Sequence, residues 1–68
     1  MLNNLLPGER CILRRVEVEA KTGLKRAQIY NLMKQGTFPK AVRLGLRAVG
    51  WDSLEVEAWV DQKLSERC

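Results

Sequence analysis

The sequence predicts a mainly α domain of three short helices, with a small β-hairpin between the second and the third. Three observations predict it. Apolar residues recur at helical spacing in more than one stretch, an alternating stretch interrupts them, and Gly23 and Gly36 stand where helices should end. At 68 residues the chain makes one domain. A chain this short buries about 60% of its unfolded surface, so its core is small and a deep catalytic cavity is hard to build. Hydrophobic residues at 46% and charged residues at 29% are ordinary globular proportions and argue against wholesale disorder.

Residues 1–10 read as a flexible N-terminal arm with a Pro7-Gly8 turn signal, residues 11–65 as the folded domain, and residues 66–68 as a C-terminal tail. Cys11-Ile12-Leu13 is a short apolar run expected to pack as an extended lead-in. Arg15 to Thr22 has helical composition without a good cap; Val18 and Thr22 share one side and Gly23 ends it. Val16 and Val18 with Glu17 and Glu19 fit a two-residue alternation as well. Gly23 to Lys25 forms a short turn, and a second helix follows. Its Ile29, Leu32 and Met33 face a core, while Arg26, Ala27, Tyr30, Asn31 and Lys34 face outward. Gly36 stops it, and Thr37-Phe38-Pro39 cannot continue it. Two short helices at this spacing predict a helix-turn-helix.

After Pro39 the period changes. Val42 and Leu44 alternate with Arg43, and Gly45-Leu46 reads as the centre of a type II′ hairpin turn, which demands a positive φ at Gly45. That register sets Leu44 against Arg47 and Val42 against Val49. On this reading Gly45→Val misplaces the hairpin. The last helix starts at Asp52 as cap, with Glu55 completing a capping box and Trp51 stapling onto Val56. Val56, Trp59, Val60 and Leu64 form its inward stripe, and both tryptophans belong to the core.

Charge is divided along the chain. Between Ala20 and Trp51 stand seven basic residues and no acid: Lys21, Lys25, Arg26, Lys34, Lys40, Arg43 and Arg47. The first nineteen residues balance to zero, and the last seventeen carry a net −3. The overall +4 therefore understates a middle segment that is wholly positive. Concentrated positive charge is the footprint of a polyanion binder, since each phosphate neutralised releases condensed counterions.

Several classes are argued against. With no histidine, Ser53, Ser65 and the cysteines lack an imidazole base, and no Gly-rich phosphate loop is present, so no enzyme is expected. Cys11 and Cys68 match neither zinc spacing nor a dense disulfide framework; Cys11 reads as a small buried hydrophobe and Cys68 as an exposed thiol. No metal, cofactor or small-molecule ligand is expected. No apolar run approaches the roughly 20 residues that span a bilayer, and the first residues lack the pattern of a secretory signal. A cytoplasmic location without membrane contact follows as an expectation.

Helix, turn, helix, basic hairpin, helix is the order of a small winged helix-turn-helix. The second helix fits a major groove, and the hairpin can lie on the backbone or put an arginine into the minor groove. The residues also carry a resemblance. Thr22-Gly23-Leu24-Lys25-Arg26-Ala27-Gln28-Ile29-Tyr30-Asn31-Leu32-Met33, Gly36-Thr37-Phe38-Pro39-Lys40-Ala41-Val42-Arg43-Leu44-Gly45, Arg47-Ala48-Val49-Gly50-Trp51 and Glu55-Val56-Glu57-Ala58-Trp59-Val60 resemble the AlpA-type family of prophage regulators over roughly residues 12 to 62. Such proteins are MerR-like winged helix-turn-helix regulators that shade into excisionases. The chain departs from the family at Lys25, where a serine is usual, at Ala27, where serine or threonine is usual, and at Arg15, where an apolar residue is usual.

The candidate DNA-binding residues are therefore Lys25, Arg26, Ala27, Gln28, Tyr30, Asn31, Lys34, Lys40, Arg43 and Arg47. Asn31 and Gln28 have the amide chemistry to read adenine, Arg26 and Arg47 to reach bases or phosphates, and the lysines to track the backbone. Double-stranded DNA is the expected partner, with further copies side by side, an integrase or RNA polymerase as secondary ones. The leading reading is a sequence-specific transcriptional regulator of mobile-element type. The alternative is an excisionase that binds repeats near an attachment site and bends DNA. A third is a protein-interaction module that inhibits another regulator through its acidic last helix.

Overall fold

Residues 48–52 organise the domain. In the computed structural model, which describes residues 10–67, the elements run β1 (Ile12–Leu13), α1 (Arg15–Thr22), α2 (Arg26–Gln35), β2 (Val42–Gly45), β3 (Ala48–Asp52) and α3 (Ser53–Glu66). β3 is the central strand, antiparallel to both neighbours, so the expected two-stranded wing is part of a three-stranded sheet of order β1-β3-β2. Ile12 pairs with Asp52 and Leu13 with Trp51. Ser53 extends this edge: its N–H donates to the Cys11 carbonyl at 2.8 Å, and its Oγ accepts the Cys11 N–H at 2.9 Å. The lead-in at 11–13 is thus extended, as its sequence indicates, although Cys11 is half-buried against the core rather than fully enclosed.

α1 and α2 have the expected bounds. Gly23 ends α1 at φ 77°, a left-handed conformation that side chains disfavour, and its N–H reaches the Glu19 carbonyl at 2.8 Å. Gly36 closes α2 with a Schellman pair, Gly36 N–H to Met33 O at 3.0 Å and Thr37 N–H to Leu32 O at 2.9 Å. Leu13, Val18, Ile29, Phe38, Trp51 and Val56 form one core, with Leu32, Met33 and Trp59 packed against it. Trp59 also donates its indole N–H to the Thr37 carbonyl at 2.8 Å and lies edge-on to Phe38 at 5.0 Å, which pins the 37–39 loop to α3. Leu64, read from its spacing as inward, is 54% exposed, because α3 extends past the sheet it packs on.

The hairpin departs from its expected register by one residue. Val42 pairs with Gly50, Arg43 with Val49 and Gly45 with Ala48, and a bulge between Arg43 and Gly45 takes up Leu44. The turn is therefore Leu46-Arg47, and Gly45 is a strand residue without positive φ. Positive φ occurs among the described residues only at Gly23 and Gly36, so neither primed turn is formed. An unprimed turn splays its strands, and the bulge restores the twist that lets them pair. The reason the register moves is Gly50. A Cβ there would stand 2.3 Å from Ile12 Cγ2, 3.1 Å from the Leu13 carbonyl oxygen and 3.1 Å from Leu44 Cδ1. β1 and β2 close on this position, and glycine is what admits them.

Asp52 caps α3 as expected. Its Oδ1 accepts the Leu54 N–H at 3.1 Å, and its Oδ2 is bonded by the Arg10 guanidinium, with Nε at 2.9 Å. Arg10, placed by sequence at the end of the arm, is held by this pair; residues 1–9 and Cys68 lie outside the described residues.

Two outcomes follow from this packing. Gly50→Ala should cost about 1–3 kcal/mol in urea unfolding through overpacking, because a β-branched side chain and a backbone carbonyl must both give way. Gly45→Ala should be nearly neutral, since the nearest atom to its added Cβ is Ala48 Cβ at 4.0 Å; a larger loss at Gly45 than at Gly50 would contradict the register.

The second concerns acid. The hydrogen bond from Arg10 holds the Asp52 carboxyl below its usual 3.8; burial opposes it, and the Leu54 N–H bond and the charge of Arg10 add smaller lowering effects. A depressed folded value gives stability that is complete above 3.8 and is lost as pH falls through the folded value. Asp52→Asn should lower stability at neutral pH and flatten the acid limb below pH 3.8 in a pH series of thermal melts. An unchanged acid limb would show that the Arg10–Asp52 pair does not contribute.

Candidate nucleic-acid interface

Both helices of the helix-turn-helix begin with a cation where a capping oxygen is usual. Lys25 has the extended geometry of a cap residue, φ −94° and ψ 165°, but an ammonium cannot accept a hydrogen bond. One half of a capping box remains: Gln28 Oε1 accepts the Lys25 N–H at 2.8 Å. Gln28, singled out as a base reader, therefore has its amide oxygen committed to starting α2. Arg14 stands in the same place before α1, where Glu17 Oε1 accepts its N–H at 2.7 Å. Neither cap residue offers a side-chain acceptor to its first-turn N–H groups; at α1 the Glu17 carboxylate already sits at the positive end, whereas the first turn of α2 holds no acid and stays open to an anion.

α2 presents its outward residues as the sequence indicates. Lys25, Arg26, Ala27, Gln28, Asn31 and Lys34 are exposed, and Tyr30 is 39% exposed. Tyr30 is held on two sides: its ring lies edge-on to Trp51 at 6.3 Å, and the Arg26 guanidinium stands 5.6 Å from its centroid. The wing supplies two arginines with different surroundings. Arg43 folds back over the turn, donating from Nε to Gly45 O and from Nη2 to Leu46 O, each at 3.4 Å, so it braces the tip. Arg47 is in the turn itself, exposed, beside Leu46, which is 87% exposed.

Helix and wing share one lining. Arg14, Arg15, Val16, Tyr30, Arg47 and Val49 line an open concavity of about 290 Å³. Arg14 is fixed there by its Nε, which donates to the Val49 carbonyl at 3.1 Å, and Arg15 is paired with Glu19 at 2.6 Å. Of the residues singled out from sequence, this concavity brings together Tyr30 and Arg47, with Arg26 against Tyr30. Lys34 lies in the last turn of α2 and Lys40 in the segment before β2; both are exposed and neither lines the concavity. Sequence reasoning missed Arg14, because the first segment balances to zero. The signal available was the spacing of its acids, since Glu17 and Glu19 are each three or four residues from a basic partner. Lys21, counted in the basic segment, turns the other way and pairs with Glu57 of α3 at 3.6 Å.

Three helices with a basic hairpin after the second make this a mainly α winged helix-turn-helix protein. The family described as prophage CP4-57 regulatory protein (AlpA) matches residues 11–64, and the chain belongs to it. It is 43% identical over 63 residues to the DNA-binding transcriptional activator AlpA of Escherichia coli (strain K12), a match covering 84% of each chain. It is also 42% identical over 55 residues to the uncharacterized protein ORF88 of Enterobacteria phage P4, covering 81% of this chain and 62% of that one. No helix among the described residues is long and apolar enough to cross a membrane.

The cap geometry yields a direct check. Lys25→Ser supplies the missing acceptor and removes a cation from the positive helix end, so it should stabilise the fold by about 0.5–1 kcal/mol in urea unfolding. Destabilisation by this change would mean that Lys25 does not occupy the cap position.

Proposed function

We propose that the chain binds double-stranded DNA sequence-specifically and regulates transcription of mobile-element genes, with α2 in the major groove and the hairpin on the adjacent backbone or minor groove. One observation carries the reading: Tyr30 of α2 and Arg47 of the wing turn line one concavity together with Arg14 and Arg15, so one ligand can engage helix and wing. Its arginines suit a duplex backbone between two grooves. Family membership supports the same conclusion, and the description of the Escherichia coli relative as a transcriptional activator favours regulation over excision. On this reading Asn31, Arg26 and Ala27 face bases. Lys25, Lys34 and Lys40 neutralise phosphates, Arg47 meets the backbone strand where the hairpin lies beside the minor groove, and Arg43 and Gln28 act by holding the wing and α2 in shape. The protein works by binding rather than by catalysis, in the cytoplasm, with no cofactor.

Selection of bound sequences from random duplex DNA, followed by titration at several salt concentrations, tests it. Neutralising about four to six phosphates should give a log–log salt slope of roughly −4 to −5 on the selected site. Asn31→Ala should relax preference at one or two base pairs, costing about 1–3 kcal/mol on that site. Failure to enrich any sequence, or a slope near zero, would remove the basic surface from function.

A further inference from the structure

We propose that Arg14, Tyr30 and Arg47 form a seat for one backbone phosphodiester of the bound DNA, where the strand passes from the groove holding α2 to the groove beside the wing. The proposal rests on the DNA-binding reading and joins Tyr30 and Arg47, both candidates from sequence, with Arg14, which sequence did not indicate, in one contact. The three side chains come from three elements: the start of α1, the exposed face of α2 and the hairpin turn. They converge on the same open concavity.

The charges around it decide what it takes. Arg15 is compensated by Glu19, and Glu17 is engaged by the Arg14 N–H. Arg14 spends only Nε on the Val49 carbonyl, which aims its guanidinium and leaves both Nη groups to donate. Arg47 has no hydrogen bond or ion pair among the described residues. Two positive charges therefore face the concavity without a bonded carboxylate. Val16 and Val49 line the concavity as its apolar neighbours. Tyr30, held by Trp51 and Arg26, adds a hydroxyl donor on a ring that is already positioned. Two arginines and a phenol around a concavity suit a tetrahedral oxyanion that can be reached from several sides. A planar base edge offers no such set of acceptors. A phosphate held between α2 and the wing fixes the distance between the two, and so sets which base pairs each can reach.

The test uses the full chain and a duplex recovered by selection, with single methylphosphonate replacements scanned along each strand. Arg47→Ala and Arg14→Ala should each weaken binding about tenfold, and Tyr30→Phe about threefold, as expected for lost hydrogen bonds to a charged group. The salt slope should fall by about 1 for each arginine. At one methylphosphonate position the Arg14→Ala and Arg47→Ala losses should both disappear, and the double variant should lose less than the product of the two. Arg47→Ala and Tyr30→Phe remove exposed atoms, so they keep the test open if Arg14→Ala melts early. Multiplicative losses that persist at every methylphosphonate position would overturn the seat while leaving DNA binding intact. A wild-type chain that binds no selected duplex, or that recovers only acidic protein ligands, would overturn the functional reading and the seat with it.

Discussion

The close approach of two strands at Gly50 fixes the rest of the molecule. Ile12 and Leu13 on one side and Leu44 on the other leave no room for a side chain, so the sheet sets its register there. The neighbours of Gly50 then each do a separate job. Trp51 fills the core, Asp52 caps α3 and holds Arg10, Val49 anchors Arg14, and Ala48 begins the return from the wing. Trp51 buries its indole N–H without an acceptor among the described residues, a cost of about 1–3 kcal/mol. Burial of its large ring against Val18, Ile29 and Val56 offsets that cost. Five consecutive residues thus connect the core, the last helix and the basic surface.

Charge is sorted by element as much as by sequence. Lys21 belongs by position to the basic run, yet it spans to α3 and meets Glu57. The acids of the first segment are used locally, Glu17 at the start of α1 and Glu19 on Arg15. What remains positive is a smaller set than the composition implies; Lys34 and Lys40 stand apart, and the rest gathers at the starts of α1 and α2 and at the wing. There two helices present uncapped first turns behind Arg14 and Lys25. A protein selected only for stability would place serine or aspartate at those positions, where a side-chain oxygen contributes about 1 kcal/mol. Cations there make sense when an anion is the ligand.

The helices were legible because punctuation agreed with periodicity: Gly23 and Gly36 end helices whose inward residues, Val18 and Ile29, are fully enclosed. The cap at Asp52 was legible for the same local reason. The wing was not, because its register is decided by Gly50, seven residues from Arg43 and packed against a strand at the other end of the chain. A glycine beside a leucine looks like a turn until that long-range contact is known. The outward face of α2 was readable from helical spacing. The roles of Gln28 and Arg43 were not, since each side chain serves its own element. Arg14 was hidden by a neutral charge count whose acids were already spoken for.

Whether α2, the start of α1 and the wing act as one DNA-facing surface is read out by amide chemical-shift mapping on the selected duplex. One shared surface gives large perturbations at Arg14 to Val16, along the exposed side of α2 and from Arg43 to Ala48, with the Glu57 and Asp61 side of α3 unmoved. Perturbations centred on Glu57 and Asp61, with the wing silent, would contradict it.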